Sequence, residues 1–313
     1  MARPPKNPLI PTRHGVSPSC VALPLLPAHE RRWSNLLEFL AERLPAVDQE
    51  GWRQRLEAGD VLDEAGRSMG ADSPYLGGGR LYYWRALDDE PVIPFEATVL
   101  FQDPHLLVVD KPHFLPVTPT GRFVQQSLLV RLKRSTGLHT LSPIHRIDRE
   151  TAGLVLLSVR PQDRAAYQAL FRDRAVDKVY EAIAPFAASV ALPRVHRSHM
   201  AEDPEAFYRM TETDGEPNSE TAIALLEQRG AWARYQLEPV TGKRHQLRVH
   251  MAALGLPLAG DQFYPRVLRG PEEAEDFANP LRLLARGIGF NDPVTGERRR
   301  FESGLDLEWP SPI

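Results

Sequence analysis

A strongly polar segment stands just before a fully apolar one in the middle of this chain, and this junction constrains the local fold. Residues 145–150 read His-Arg-Ile-Asp-Arg-Glu, and the run Leu-Val-Leu-Leu follows at residues 154–157. A short apolar run of this kind predicts a buried strand. The polar segment before it is therefore predicted to be a loop that the protein core holds in place.

Asp148 lies in this loop among cationic neighbours. Arg146 and Arg149 flank it, and His145 begins the segment. Because nearby positive charge favours the ionised form of a carboxyl group, we expect Asp148 to be charged at neutral pH. An ionised carboxylate that is held in position without an obvious metal partner is a candidate nucleophile or base.

The composition is that of an ordinary globular protein. The chain has 313 residues, of which 42% are hydrophobic and 25% charged, and this length allows a large domain and a smaller one. The single cysteine, Cys20, excludes an internal disulfide and a cysteine-cluster metal site. No stretch approaches the ~20 apolar residues of a membrane helix, and residues 1–6 lack the apolar core of a signal peptide. We therefore expect a cytoplasmic protein.

Positive charge is concentrated in the middle third of the chain, although the net charge of the whole is −3. Residues 101–200 carry a net charge of +6, whereas residues 1–100 and 201–313 carry −3 and −6. A basic cleft on an acidic body can bind a polyanion at one place. Chance variation in surface charge would give the same numbers, so the pattern alone leaves both interpretations open.

Hydrophobic periodicity predicts an α+β protein with a mixed, mostly antiparallel central sheet and flanking helices. Pro-rich residues 91–94 suggest a boundary between an N-terminal arm with a small helical or α+β extension, residues 1–92, and a larger domain, residues 93–313. Helices are predicted at residues 33–44, 49–56, 128–133, 165–171 and 244–254, and strands at residues 81–84, 98–101, 106–109, 154–159, 178–184, 222–228 and 233–240.

A second group of cations follows the last of these strands. A helix that begins at Arg244 would place Arg244 and Arg248 on one face, where unpaired N–H groups and arginines suit a phosphate or a carboxylate. A solvated basic face is the alternative. Arg248 is also a natural partner for Asp148. His245 and His250 are five residues apart and are poorly placed to share a zinc ion.

Lys178 and Tyr180 point to the same side of their predicted strand. A tyrosine there can stack on a flat ring while its hydroxyl finds a polar partner. A tyrosine in the core or at an interface is the alternative.

Four ordered blocks of this chain resemble those of the RluA-type pseudouridine synthases. Residues 145–154 resemble the family's His-Arg-Leu-Asp-x-x-Thr-Ser/Ala-Gly-Leu, with isoleucine in place of leucine at residue 147. The other blocks are residues 110–112, 178–182 and 241–250. The resemblance covers residues 95–302. It implies the pseudouridine synthase fold and isomerisation of specific uridines to pseudouridine in ribosomal or transfer RNA.

The resemblance also implies roles for particular residues. Asp148 would be the catalytic carboxylate, Tyr180 would stack on a base flipped out of the RNA, and Arg248 would ion-pair with Asp148. Arg146 would take the place of the flipped uridine or pair with its phosphate, and Leu283 would form an apolar wall of the pocket. Substrate-binding roles are further implied for His145, Arg149, Thr151, Lys178, Arg244, His245, Gln246 and His250.

The same resemblance implies RNA as the partner and a reaction that needs no metal or organic cofactor. Because no apolar stretch is long enough for a membrane helix, we expect no membrane partner. A monomer without an obligate protein partner is the default expectation. The chain has Leu284 where the family commonly has a histidine. Residues 33–84 loosely resemble a small ribosomal-protein-type RNA-binding domain, and a packing extension is the alternative. Two other functions stay open. One is a non-catalytic RNA-binding or RNA-folding protein of the same fold, and the other is a glycosidase, which would need two suitably placed carboxylates.

Overall fold

The computed structural model describes residues 7–30, 32–85, 90–270, 273 and 275–311. It divides into two compact units. The first comprises residues 1–90 with 121–125, and the second comprises residues 91–120 with 126–313. Residues 121–125 thus belong to the first unit, whereas the predicted boundary at residue 92 assigns them to the larger domain.

The first unit packs two short helices with a small antiparallel sheet. Its elements are β1 (Ser19–Ala22), α1 (Leu36–Arg43), α2 (Gln49–Glu57), β2 (Val61–Leu62) and β3 (Arg80–Tyr83), with sheet order β1-β3-β2. The side chain of Asn35 caps α1, and that of Asp48 caps α2. Phe39, Leu40 and Trp52 are buried at the centre of the unit. A role for this unit in binding RNA stays a prediction.

The second unit is built on one large sheet. Its first elements are β4 (Thr98–Gln102), β5 (Leu106–Lys111), α3 (Leu128–Thr136), β6 (Ser142–Pro143), β7 (Ala152–Ser158), α4 (Arg164–Arg172) and β8 (Asp177–Pro185). Then follow β9 (Arg194–Asp203), β10 (Ala206–Thr213), β11 (Ser219–Arg229), β12 (Trp232–Pro239), α5 (Gln246–Ala253), β13 (Leu283–Asn291) and β14 (Arg298–Glu302). The strand order is β10-β9-β11-β12-β8-β13-β7-β5-β4, with β14 beside β13 and β6 beside β7.

The predicted α+β class is confirmed. The pairing of β13 with β7 is parallel, and the other pairings of the large sheet are antiparallel. The predicted helices and strands agree with the structure to within three residues at each end. Strands β5 and β7 are buried along their whole length, as expected of central strands in a sheet that is covered on both faces.

Strands β9, β10 and β14 were not predicted from the sequence pattern. In β9 the single fully buried side chain is Met200, and β14 reads Arg-Arg-Arg-Phe-Glu. Such strands lack the apolar alternation on which prediction depends, and they form because neighbouring strands supply hydrogen-bond partners. Within the described part of the chain, no helix is both long enough and apolar enough to cross a membrane.

Gly153 is a position at which the sheet does not tolerate a side chain. It begins β7 with φ of 106°, and a Cβ would lie 2.4 Å from the carbonyl oxygen of Ala285 on β13. We expect Gly153→Ala to lower the free energy of unfolding by about 3 kcal/mol. Gly137→Ala is the matched control, since its φ is 71° and the space around it is open. It should lower the same quantity by about 1 kcal/mol. Equal losses in chemical denaturation would contradict this account.

Candidate active site

The polar loop before β7 is attached to the core by His145. The imidazole Nε2 accepts a hydrogen bond from the backbone N–H of Leu156 at 3.1 Å, and the ring stacks on Phe171 with 4.5 Å between ring centres. Burial, assisted by Lys178, lowers the pKa of His145 to about 3, so the ring is a neutral acceptor. His145 therefore positions the loop, and the substrate-binding role that the sequence implied for it stays a prediction.

Asp148 lies in a tight turn of this loop with part of its side chain open to solvent. The N–H of Thr151 donates to the carbonyl oxygen of Asp148 at 3.2 Å, and the Thr151 side chain is buried. The Asp148 carboxylate is 24% exposed, and its Oδ2 lies 3.6 Å from Nη1 of Arg248. The structure thus brings together the two residues that the sequence paired, as an ion pair at longer than hydrogen-bond distance.

Arg248 is fixed mainly by Asp261, a residue that the sequence interpretation did not select. Its side chain is 1% exposed, and its Nε and Nη2 donate to the two Asp261 carboxylate oxygens at 2.8 and 2.7 Å. The guanidinium also lies 5.1 Å from the ring centre of Phe263 and 5.2 Å from that of Tyr264. A bidentate pair of this kind sets the plane of the guanidinium and leaves Nη1 directed elsewhere.

Nη1 of Arg248 faces two carboxylates. Besides Asp148, Oε2 of Glu150 lies 3.9 Å away, and Nη1 has no hydrogen bond to any described residue. Although burial disfavours the charged guanidinium, Asp261, Asp148 and Glu150 hold the pKa of Arg248 above its usual value. The site therefore contains a permanent, buried cation beside a partly exposed carboxylate.

Arg149 belongs to an ion-pair chain that ties the loop to a distant segment. Its guanidinium lies 2.8 Å from the Glu150 carboxylate and also donates to both Glu275 oxygens, at 2.8 and 3.3 Å. Arg269 donates to Glu275 at 3.1 Å. These contacts fix Arg149 within the protein, and the substrate contact that the sequence implied for it stays a prediction.

Lys111 lies under the same loop and was not selected as a site residue from the sequence. Its side chain is fully buried, and Nζ donates to the carbonyl oxygens of Pro112 at 2.8 Å and Arg149 at 3.1 Å. Burial lowers the pKa of Lys111 to about 7, against the opposing effect of Glu150 and Asp148. The amine therefore supports the loop from below and titrates near neutral pH.

Tyr180 contributes a protonated phenol beside Asp148. It lies on β8 and packs against the apolar cluster that contains the buried Leu283 of β13. Burial, and then the negative charge of Asp148, raise the pKa of Tyr180 above its ordinary value. The hydroxyl consequently keeps its proton at neutral pH.

Arg244 does not share a helix face with Arg248, and this expectation is corrected. Helix α5 begins at Gln246, because His245 adopts the left-handed conformation with φ of 55° and ends the preceding turn. Arg244 lies outside the helix, and its Nη2 donates to the carbonyl oxygens of Phe207 at 2.8 Å and Arg209 at 2.9 Å.

The other residues of this block mainly contact the protein itself. Gln246 and His250 both bind the hydroxyl of Thr221, at 3.0 Å each. His245 pairs with the hydroxyl of Tyr264 at 2.8 Å. Lys178 donates to a backbone carbonyl oxygen at 3.1 Å, and burial lowers its pKa to about 8. These side chains are therefore held by hydrogen bonds within the fold, and the substrate contacts that the sequence implied for them stay predictions.

Comparison with known proteins identifies the family of this chain. A family model described as RNA pseudouridylate synthase matches residues 105–253. The dual-specificity RNA pseudouridine synthase RluA of Escherichia coli is 32% identical over 217 residues, which cover 67% of this chain and 93% of that protein. This chain belongs to the RluA-type pseudouridine synthase family. It is therefore an isomerase.

Two further similarities extend over different parts of the synthase. The ribosomal large subunit pseudouridine synthase D of Pseudomonas aeruginosa is 27% identical over 310 residues, covering 92% of this chain and 89% of that protein. The structure of human RNA pseudouridylate synthase domain containing 4 is 26% identical, with a TM-score of 0.53, and covers 67% of this chain and 88% of that one.

One group of side chains in the synthase has the donor types of a metal site. Potential ligand atoms of His196, Glu212 and His250 lie within 4.8 Å of one another. His196 is already paired with Glu212 at 2.7 Å, and both ring nitrogens of His250 face hydroxyl groups, those of Ser219 at 2.9 Å and Thr221 at 3.0 Å. We therefore assign these three side chains a structural role, in which their hydrogen bonds link β9, β10 and α5 to their neighbours.

Arg146 differs from the other cations of the loop. It is exposed, and it forms no hydrogen bond or ion pair with any residue that the structure describes. Of the charged side chains in residues 145–150, Arg146 is thus the one whose cation remains available to an incoming ligand.

The Arg149–Glu275 pair should position the loop of the synthase. Glu275→Gln removes the charge with little change in shape, and we expect kcat to fall about tenfold as the loop loosens. Glu273→Gln, at an exposed carboxylate of the same segment, is the control and should leave kcat unchanged. A double-mutant cycle with Arg149→Gln should show a coupling of about 1 kcal/mol in the free energy of unfolding. Strict additivity would contradict the pairing.

Lys111 should make the stability of the synthase depend on pH. Between pH 7 and about 10 the unfolded chain holds a proton on this amine that the folded chain lacks, so this group makes the free energy of unfolding rise with pH. Relative to Lys111→Met, wild type should gain up to about 1.4 kcal/mol per pH unit. Denaturation at pH 7, 8 and 9 measures this, with the exposed Lys243→Met as control. A constant difference between wild type and Lys111→Met would contradict burial of a titrating amine.

Proposed function

We propose that this protein isomerises specific uridines to pseudouridine in ribosomal or transfer RNA, with Asp148 as the catalytic carboxylate. One observation carries the proposal. A partly exposed Asp148 carboxylate stands 3.6 Å from the buried Nη1 of Arg248, in contact with solvent on one side and with a fixed cation on the other. Such an arrangement orients a carboxylate toward a ligand that approaches from its solvent-exposed side.

The uridine must leave the RNA stack before it reaches Asp148, because its reacting atoms are inaccessible within a helix. Arg146 is suited to assist this step, since its cation is exposed and has no partner in the described chain. It would take the space of the extruded base or pair with the adjacent phosphate. Tyr180, beside Asp148, would stack on the flipped uracil over the apolar floor to which Leu283 belongs.

The reaction itself conserves all atoms. The bond between N1 of uracil and C1′ of the ribose breaks, the uracil turns, and C5 bonds to C1′. C5 loses its proton, and N1 gains one. The ionised Asp148 acts on the reacting nucleoside during bond exchange. The protonated Tyr180 hydroxyl would take part in a proton transfer.

The chemistry of the site and the names of two relatives support the proposed substrate class. The Pseudomonas relative bears a name that refers to the large ribosomal subunit, and the Escherichia coli relative is named as dual-specific for RNA. We therefore propose ribosomal or transfer RNA as the substrate, a cytoplasmic location where both RNAs are found, and action as a monomer.

Asp148→Asn tests this proposal. The substitution retains size and removes the charge, so we expect pseudouridine formation to fall at least about a thousandfold while RNA affinity stays within about threefold. Product is measured by mass spectrometry after base-specific derivatisation of total RNA from cells that lack the gene. Asp214→Asn, at an exposed aspartate, is the control and should be fully active.

Three outcomes would overturn the assignment. Full activity of Asp148→Asn would remove the catalytic role of that residue. Binding of RNA by wild type without turnover would indicate an RNA-binding protein of the same fold. Release of free uracil would indicate a glycosidase.

A further inference from the structure

Two aromatic side chains stand exposed at the tip of the β9–β10 hairpin. Phe207 is 81% exposed and Tyr208 is 41% exposed, and their ring centres lie 5.6 Å apart at a steep angle. Rings of this size bury a large apolar area when they are covered. Two adjacent exposed rings are therefore a candidate contact surface, and nothing in the reaction described above uses them.

The hairpin that carries these rings is anchored to the elements that build the site. Arg244 donates to the carbonyl oxygens of Phe207 and Arg209. The backbone N–H of Met210 donates to the hydroxyl of Tyr264 at 2.8 Å, and Arg209 donates to the carbonyl oxygen of Pro265 at 3.1 Å. These bonds fix the position of the rings relative to α5 and the segment that follows it.

A continuous series of short contacts leads from the rings to Asp148. The ring centre of Tyr208 lies 5.6 Å from that of Phe263, and the Phe263 ring lies 5.1 Å from the guanidinium of Arg248. The Nη1 of the same guanidinium lies 3.6 Å from Asp148. The exposed rings are therefore within a few nucleotides of any uridine that reaches Asp148.

The charges around the hairpin favour the face of a base over a phosphate at its tip. Glu205 is exposed in the turn, and the exposed Glu202 lies 3.5 Å from Arg244 and offsets its charge, so the tip offers no net positive charge to a phosphate. The exposed cations Lys243 and Arg266 lie outside the turn, in the segments next to α5 and Tyr264. Aromatic rings that receive bases, with cations nearby for the backbone, are the usual arrangement for single-stranded nucleic acid.

We propose that Phe207 and Tyr208 form a stacking surface for the unpaired bases that flank the uridine at Asp148. This inference rests on the proposed function and adds that the RNA is single-stranded next to its target. Two rings are too small an area for a stable dimer, which buries about 800 Å² on each partner. A base, by contrast, covers a ring with its own face.

Binding of a defined RNA tests the stacking surface. The probe is a twelve-residue oligouridylate that carries one 2-aminopurine, whose fluorescence is quenched when it stacks. Wild type should quench the probe, and Phe207→Ala with Tyr208→Ala should weaken binding about tenfold and abolish the quenching. Phe207→Trp should retain both properties, whereas Phe207→Leu should lose the quenching. Leu226→Ala, at an exposed aliphatic side chain of β11, is the matched control and should match wild type.

Kinetics on total RNA from cells lacking the gene then separates this proposal from the proposed function. We expect the double variant to raise KM about tenfold and to leave kcat within about twofold. If wild type is active and the double variant has the KM and the probe affinity of wild type, the stacking surface is overturned. The proposed function is unaffected by that result. An inactive wild type would overturn the proposed function. Altered sedimentation of the double variant, with unchanged RNA affinity, would make the surface an interface between copies and would also overturn the proposal.

Discussion

The buried guanidinium of Arg248 is the interaction on which the site depends. A charge that is removed from water is tolerated only when carboxylates and hydrogen bonds compensate for it. Asp261 supplies the bidentate contact at 2.7 and 2.8 Å, while Asp148 and Glu150 stand at 3.6 and 3.9 Å from the third nitrogen. Loss of Asp261 would leave the buried guanidinium without its hydrogen-bonded partner, and breaking a buried pair in this way typically destabilises by about 3–5 kcal/mol. The contact between Arg248 and Asp148 also orients the Asp148 carboxylate.

The loop around Asp148 is rigid because its neighbours are held by contacts of different kinds. His145 is an uncharged acceptor for the backbone of β7, and Lys111 donates to a carbonyl oxygen of the loop from below. Arg149 is bound laterally to Glu150 and Glu275. With these side chains engaged inside the protein, the exposed Arg146 and the partly exposed Asp148 are the charged side chains of residues 145–150 that stay open to solvent. Side chains held in fixed positions reduce the entropic cost of orienting a flexible polymer at such a site.

The anchored hairpin and the start of α5 form a second rigid part of this site. Arg244 and the hydroxyl of Tyr264 tie β10 to the segments on either side of α5, so Phe263 can contact both Arg248 and Tyr208. Binding of RNA at the hairpin and reaction at Asp148 would then depend on the same set of contacts, which join β10, Phe263 and Arg248.

The sequence by itself determined the α+β class, most element positions and the family, because hydrophobic periodicity and short motifs are local properties. It also paired Asp148 with Arg248. Only the tertiary structure decided that Asp261 is the principal partner of Arg248, that His145 serves the core, and that β9 and β10 form a hairpin. These features depend on hydrogen bonds and pairings between segments that meet only in the folded chain. Neither composition nor spacing carries that information, since the same polar residue types serve substrate and scaffold alike.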